Sequence, residues 1–198
     1  MISFTPAELR TIHNSDFFRI KSSATFKIDS LLAETRDKIK SLIEKEKLGF
    51  PKEVDASMGK IFRGENYLGL PYLVLDFPKY FGKDSVLAFR TMFWWGNFFS
   101  CTLHIAPVKS FRPNLLLKKG VYFCVNDNPW QYQYEKDNYI LIDKLSEKKI
   151  LTHIKKNNFI KLSRKIKLKD YKKLPKFAEE TFSILSSSLE LPTVSLPK

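Results

Sequence analysis

Apolar and polar positions alternate with a period of two through much of the middle of the chain, most densely over residues 90–105. Gly96-Asn97 interrupts this run, between residues 86–95 and residues 98–105. Glycine adopts positive φ at the first position of a two-residue type II′ turn, so the pattern predicts a tight hairpin. That turn pairs Trp95 with Phe98, Phe93 with Ser100, Thr91 with Thr102 and Phe89 with His104 on one face. The other face then carries Trp94 with Phe99, Met92 with Cys101, Arg90 with Leu103 and Ala88 with Ile105.

Elsewhere the period lengthens. Ile28, Leu31, Leu32, Thr35, Ile39, Leu42 and Ile43 recur at three- and four-residue steps, which predicts a long amphipathic helix stopped by Gly49 and Pro51. A short helix from Pro6 to about His13 precedes it, and Ser15 or Asp16 supplies a cap for a following turn. Strands are expected over 60–65, 72–77, 121–125, 139–142 and 159–168. The last alternates Ile and Leu with lysines and reads as an edge strand guarded by charge. Trp130, Tyr132 and Tyr134 alternate with Gln131, Gln133 and Glu135, giving a half-buried aromatic row to be covered by a helix or stacked on a ligand. Residues 110–119 read as a short helix or an irregular crossing, residues 146–157 read as helical, a last helix begins at Pro175, and a frayed tail begins at Leu191. The sum is one α+β domain over residues 1–198, an antiparallel β-meander of about six strands with a long N-terminal helix and C-terminal helices packed on it.

Composition narrows the class without naming a function. With 43% hydrophobic residues and only 7 Gly in 198, the chain is neither disordered nor fibrous. The 18 uncharged residues between Arg90 and Lys109 match the shortest membrane span, but Gly96-Asn97 and Pro107 divide them into two strands. The first ten residues show no basic segment followed by an apolar run, and Cys101 and Cys124 are too few for a disulfide framework. A cytoplasmic, reducing location is the expectation, with no membrane partner.

The charge of +13 is unevenly spread, since residues 144–176 hold 13 Lys+Arg against 2 Asp+Glu. Two readings stand. Lys161, Arg164, Lys165 and Lys167 lie on nucleic-acid phosphates, or the lysines guard a sheet edge in a lysine-biased chain.

Candidate chemistry centres on the hairpin. Thr91, Ser100, Thr102 and His104 stand among aromatic rings that include Trp95, which is the make-up of a small-molecule pocket, or of a face that helices cover. Arg90 on an apolar face needs an ion pair, with Glu65 or Asp76, or an anionic ligand. Arg63 and Glu65 sit in a polar turn at one sheet edge. The best-supported expectation is a soluble protein that binds a small ligand, anionic or aromatic, on this hairpin, with His104 as an acid or base should there be catalysis. The alternatives are nucleic-acid binding and an interaction module with no ligand. No cofactor motif and no metal-ligand spacing is present; Cys101 and His104, three apart on a strand, point to opposite faces.

Residues 64–72, Gly-Glu-Asn-Tyr-Leu-Gly-Leu-Pro-Tyr, together with residues 90–99, Arg-Thr-Met-Phe-Trp-Trp-Gly-Asn-Phe-Phe, resemble a family of conserved hypothetical bacterial proteins with no assigned activity. The likeness covers about a fifth of the chain. It implies no catalytic residue and only ties the two stretches together.

Overall fold

The computed structural model describes residues 1–189. Helix α1 (Pro6–His13) starts at a capping box, in which the Thr5 hydroxyl accepts from the Glu8 amide and the Glu8 carboxylate accepts from the Thr5 amide at 2.6 Å. The cap of the second helix is Asn14, not Ser15 or Asp16: its side chain accepts from the Phe17 amide at 3.0 Å and opens α2 (Ser15–Lys45), 31 residues long. The stripe expected from residue 28 onward is the buried one, with Leu32 and Ile39 wholly inside. Burying each such side chain contributes about 2 kcal/mol.

Among the described residues seven strands follow, all antiparallel: β1 (Lys60–Tyr67), β2 (Leu70–Phe81), β3 (Val86–Trp94), β4 (Phe98–Ala106), β5 (Tyr122–Cys124), β6 (Tyr139–Leu141) and β7 (Ile160–Lys167). Their spatial order is β1-β2-β3-β4-β7-β5-β6, so the first four form the expected meander and the last strand in sequence is inserted beside its end. Helix α3 (Glu147–Asn157) leads into β7, and α4 (Leu174–Ser186) returns to pack against α2. The α+β class is as the sequence predicts. Among the described residues no helix is long and apolar enough to cross a membrane, and residues 91–108 hold the hairpin strands.

Two expectations need correction. The hairpin turn has three residues, Trp95, Gly96 and Asn97, not two, so Trp94 pairs with Phe98, Met92 with Ser100, Arg90 with Thr102 and Ala88 with His104. The Asn97 amide donates to the Trp94 carbonyl at 3.1 Å, with Gly96 at φ 72 as the third residue of that turn. A shift of one residue moves every side chain of β3 to the opposite face relative to β4. Secondly, β7 is an interior strand between β4 and β5, not an edge. Its pairing with β5 spans only Leu162 and Ser163, so Lys161 lies beside that contact while Lys165 and Lys167 lie beyond it. The tail from Leu191 lies outside the described residues.

The sheet has two unlike faces. Leu73, Leu75, Phe77, Phe89, Phe93, Phe99, Cys101, Leu103 and Leu162 form the main core with α2 and α4. The opposite face carries Val74, Asp76, Arg90, Met92, Ser100, Thr102, His104, Lys161 and Ser163, as the strand register dictates. Among the described residues no helix covers that second face. Residues 126–138, which form neither helix nor strand, lie across it as a strap.

Candidate functional site

The strap is the row Trp130, Gln131, Tyr132, Gln133 and Tyr134, and its aromatic side chains turn down onto the polar centre of the sheet. Trp130 meets the His104 ring edge-to-face at 5.4 Å, and Tyr134 meets Phe98 at 5.1 Å. The Tyr134 hydroxyl is bonded to the Ser163 hydroxyl, which is 2.7 Å from that of Thr102. Tyr67, at the end of β1, reaches across as well: its hydroxyl accepts from the Tyr132 amide at 2.6 Å and donates to Gln133 Oε1 at 2.5 Å. Asn138, wholly buried, donates to the carbonyls of Gln131 at 3.2 Å and Gln133 at 2.7 Å. These bonds replace the ladder the strap lacks.

Beneath it lie two cations on one ring. The Arg90 guanidinium carbon is 5.0 Å from the centre of the Tyr132 ring, and Lys161 Nζ is 4.0 Å from it. Arg90 is paired: Nε donates to Asp76 Oδ1 at 2.7 Å, Nη2 to Oδ2 at 2.8 Å, and Nη1 to the Tyr132 hydroxyl at 2.7 Å. Burial works against its charge, but the Asp76 hydrogen bonds prevail and hold the guanidinium above its ordinary range. The ion pair expected with Glu65 or Asp76 is thus with Asp76.

Lys161 is different. It is 0% exposed, it donates to the Gln131 carbonyl, and its other neighbours are the rings of Tyr132 and, at 5.1 Å, Tyr139. No carboxylate among the described residues forms an ion pair with it. Burial, with the nearby positive charge of Arg90 adding to it, pulls the ammonium down to about 7. The His104 imidazole is pushed down to about 4 by burial and by the charges of Lys161 and Arg90, so it is neutral at pH 7. Two buried hydroxyls on this side of the sheet, Ser100 Oγ and Tyr139 Oη, have no hydrogen-bond partner among the described residues. Each is a site of unmet polarity.

The structure thus gathers four of the residues singled out from sequence, Arg90, Ser100, Thr102 and His104, and brings Lys161 and Lys165 to the same face. It does not gather the rest. Thr91 lies on the helix side, its hydroxyl 3.8 Å from Cys101 Sγ, because the register shift reversed its direction. Trp95 lies in the turn and packs on Phe93 at 5.3 Å, where both line a groove of about 460 Å³ along α2. Arg63 reaches Asp29 at 3.6 Å and Glu65 reaches Lys21 at 2.7 Å, so both serve the contact of β1 with α2.

Of the four residues read as phosphate contacts, Lys161 is buried and Arg164 lies on the helix side, donating to the Thr181 hydroxyl at 3.1 Å. Lys165 lies 4.2 Å from the Tyr134 ring, and Lys167 ends the strand. These four share no single exposed surface. The remaining lysines of residues 144–176 divide between residues 144–156, before β7, and the segment after it, separated by eight strand residues, roughly 26 Å.

Asn138 and Tyr139, and the buried state of Lys161, were not legible from sequence as parts of a site, and Tyr132 was legible only as a member of an aromatic row to be covered by a helix or stacked on a ligand. The signal was the Trp-Tyr-Tyr row, which has the right period to cover a face but gives no indication of which one. A separate hollow of about 420 Å³ opens at the far end of the hairpin, between Tyr80, Val86, Leu87, Ile105 and Val108. Among the described residues no group of three or more His, Cys, Asp or Glu side chains gathers as for a metal ion. No protein-family model, curated protein or solved structure matches the chain.

Proposed function

We propose that this chain binds a small anionic or aromatic molecule on the sheet face beneath the strap, with Lys161 as the central cation. One observation carries the reading: a lysine held wholly inside the protein, facing two tyrosine rings and a carbonyl, with no described carboxylate to balance it. Burying a cation without a counter-charge costs stability, and strongly perturbed titratable groups of this kind cluster at functional sites. Tyr132 fills the space between the two cations, and the ligand takes its place when the strap lifts. Thr102, Ser100 and Tyr139 hydroxyls then offer hydrogen bonds to it.

Thermal unfolding of the wild type and of Lys161→Met, with citrate, pyrophosphate and benzoate as probes, tests this. A ligand at a hundred times its Kd stabilises by about 2.7 kcal/mol, which for a chain of this size raises Tm by roughly 5–10 °C. The rise is expected in the wild type and not in the variant. If no probe shifts the wild type, or the shift is the same in Lys161→Met, the proposal fails.

A further inference from the structure

We infer that the N-terminal arm, residues 1–20, is a self-association surface on which the arm of a second copy packs. Every one of these residues is exposed, and none of α1 is buried. The arm is nevertheless not polar. Phe17, Lys21, Ala24 and Ile28 continue, at three- and four-residue steps, the stripe that Leu32, Thr35 and Ile39 bury against the sheet. The stripe outruns its cover, because α2 reaches the end of β1 at the Lys21–Glu65 pair, 2.7 Å, and everything before that projects beyond it. Ser15 to Ile20 and the eight residues of α1 make about 20 Å of helix with no described element against it. Helices this short are marginal in water without a packed face.

Area and charge both select the occupant. Leu9, Ile12, Phe17, Phe18 and Ile20 are 42%, 55%, 47%, 49% and 69% exposed. They offer roughly 500 Å² of apolar surface per copy, taking about 200 Å² for a whole large side chain. At the usual apolar share of an interface, this corresponds to roughly 800 Å² per partner, the standard size for a stable complex. Although the chain as a whole carries +13, residues 1–20 hold Glu8 and Asp16 against Arg10 and Arg19 and so carry no net side-chain charge. An anionic lipid surface gains nothing from such an arm, whereas two antiparallel copies meet without repulsion and can pair acid with base. A two-fold contact of one surface with itself closes at the dimer.

Sedimentation velocity of the full chain between 1 and 100 µM tests the inference, with a dimer of twice 23.2 kDa expected. Phe17→Glu and Ile20→Glu should each weaken association at least tenfold. Phe26→Glu should not, since Phe26, though 70% exposed, lies on the opposite side of α2 from Phe17. Phe17→Ser serves if a charged variant fails to fold, as judged by its circular dichroism. A monomer at every concentration overturns the proposal, as does a dimer indifferent to Phe17 and Ile20. A monomer that binds vesicles of phosphatidylglycerol overturns it in favour of a lipid surface.

Discussion

Replacing Lys161 with methionine removes a buried charge while nearly conserving volume, and its effect on stability has a defined dependence on pH. Burial lowers the Lys161 ammonium from 10.5 to about 7, so between those values the unfolded chain binds a proton that the folded chain does not. Stability contributed by this residue therefore rises with pH across that window. The full difference is on the order of 5 kcal/mol, at about 1.4 kcal/mol for each pH unit. At pH 7 the wild type bears nearly all of this penalty, and Lys161→Met, which gives up only the bond to the Gln131 carbonyl and the contacts with Tyr132 and Tyr139, should be the more stable protein. Its advantage should shrink by about 3 kcal/mol between pH 7 and 9.5. Guanidinium titrations followed by tryptophan fluorescence, run on both proteins at four pH values, measure the difference directly and cancel the other titrating groups. A difference that stays flat with pH would mean that Lys161 remains charged in the folded state, and the account of an uncompensated amine would be wrong.

Further substitutions probe the frame around it. Arg90→Met leaves the Asp76 carboxylate, whose side chain is 4% exposed, without its partner, and should cost about 3–5 kcal/mol in denaturant titration; adding Asp76→Leu should restore much of that loss. Asp55 accepts amide bonds from Ser57, Met58 and Gly59 which, against the opposing effect of burial, hold its carboxyl at about 2. Asp55→Asn should therefore lose about 1–2 kcal/mol at pH 6, and thermal melts should show the gap to the wild type closing as pH falls from about 4 to about 2. Gly96→Ala should cost about 1 kcal/mol from its φ of 72 alone, since an added Cβ meets only Leu70 at 4.0 Å. Gly59→Ala should cost clearly more in the same melts, because its φ is 65 and the Cβ would lie 2.8 Å from Phe77 Cβ and 2.9 Å from the Asp76 carbonyl.

The elements were more legible than their relations. The stripe of α2, the hairpin at Gly96 and the α+β class follow from periodicity, because period reports which face of an element is apolar and does so locally. Turn length is a subtler matter. Gly96-Asn97 fits a two-residue loop by composition, yet Trp95 leaves the ladder and its amide bonds the Pro71 carbonyl at 3.2 Å, which adds a third loop residue. That one residue took Thr91 away from Thr102 and put Arg90 beside it, while the pairing of Arg90 with Asp76 is set separately by the register of β2 against β3. Lys161 was misplaced for a non-local reason. An alternating Ile-Lys-Leu strand looks the same at an edge as in an interior, and only the insertion of β7 between β4 and β5, with the strap lying over it, buries the lysine. No local pattern encodes that order.

The position of β7 also bears on how the chain can be made. Strands β1 to β4 and the pair β5–β6 are synthesised well before residues 160–167, and β7 is what joins β4 to β5. Until it leaves the ribosome, two separate sheet fragments each present a rim of unsatisfied backbone amides and carbonyls. A nascent chain ending near α3 is therefore two sticky halves without a keystone, and premature termination there yields material for aggregation and proteolysis, not a smaller working protein.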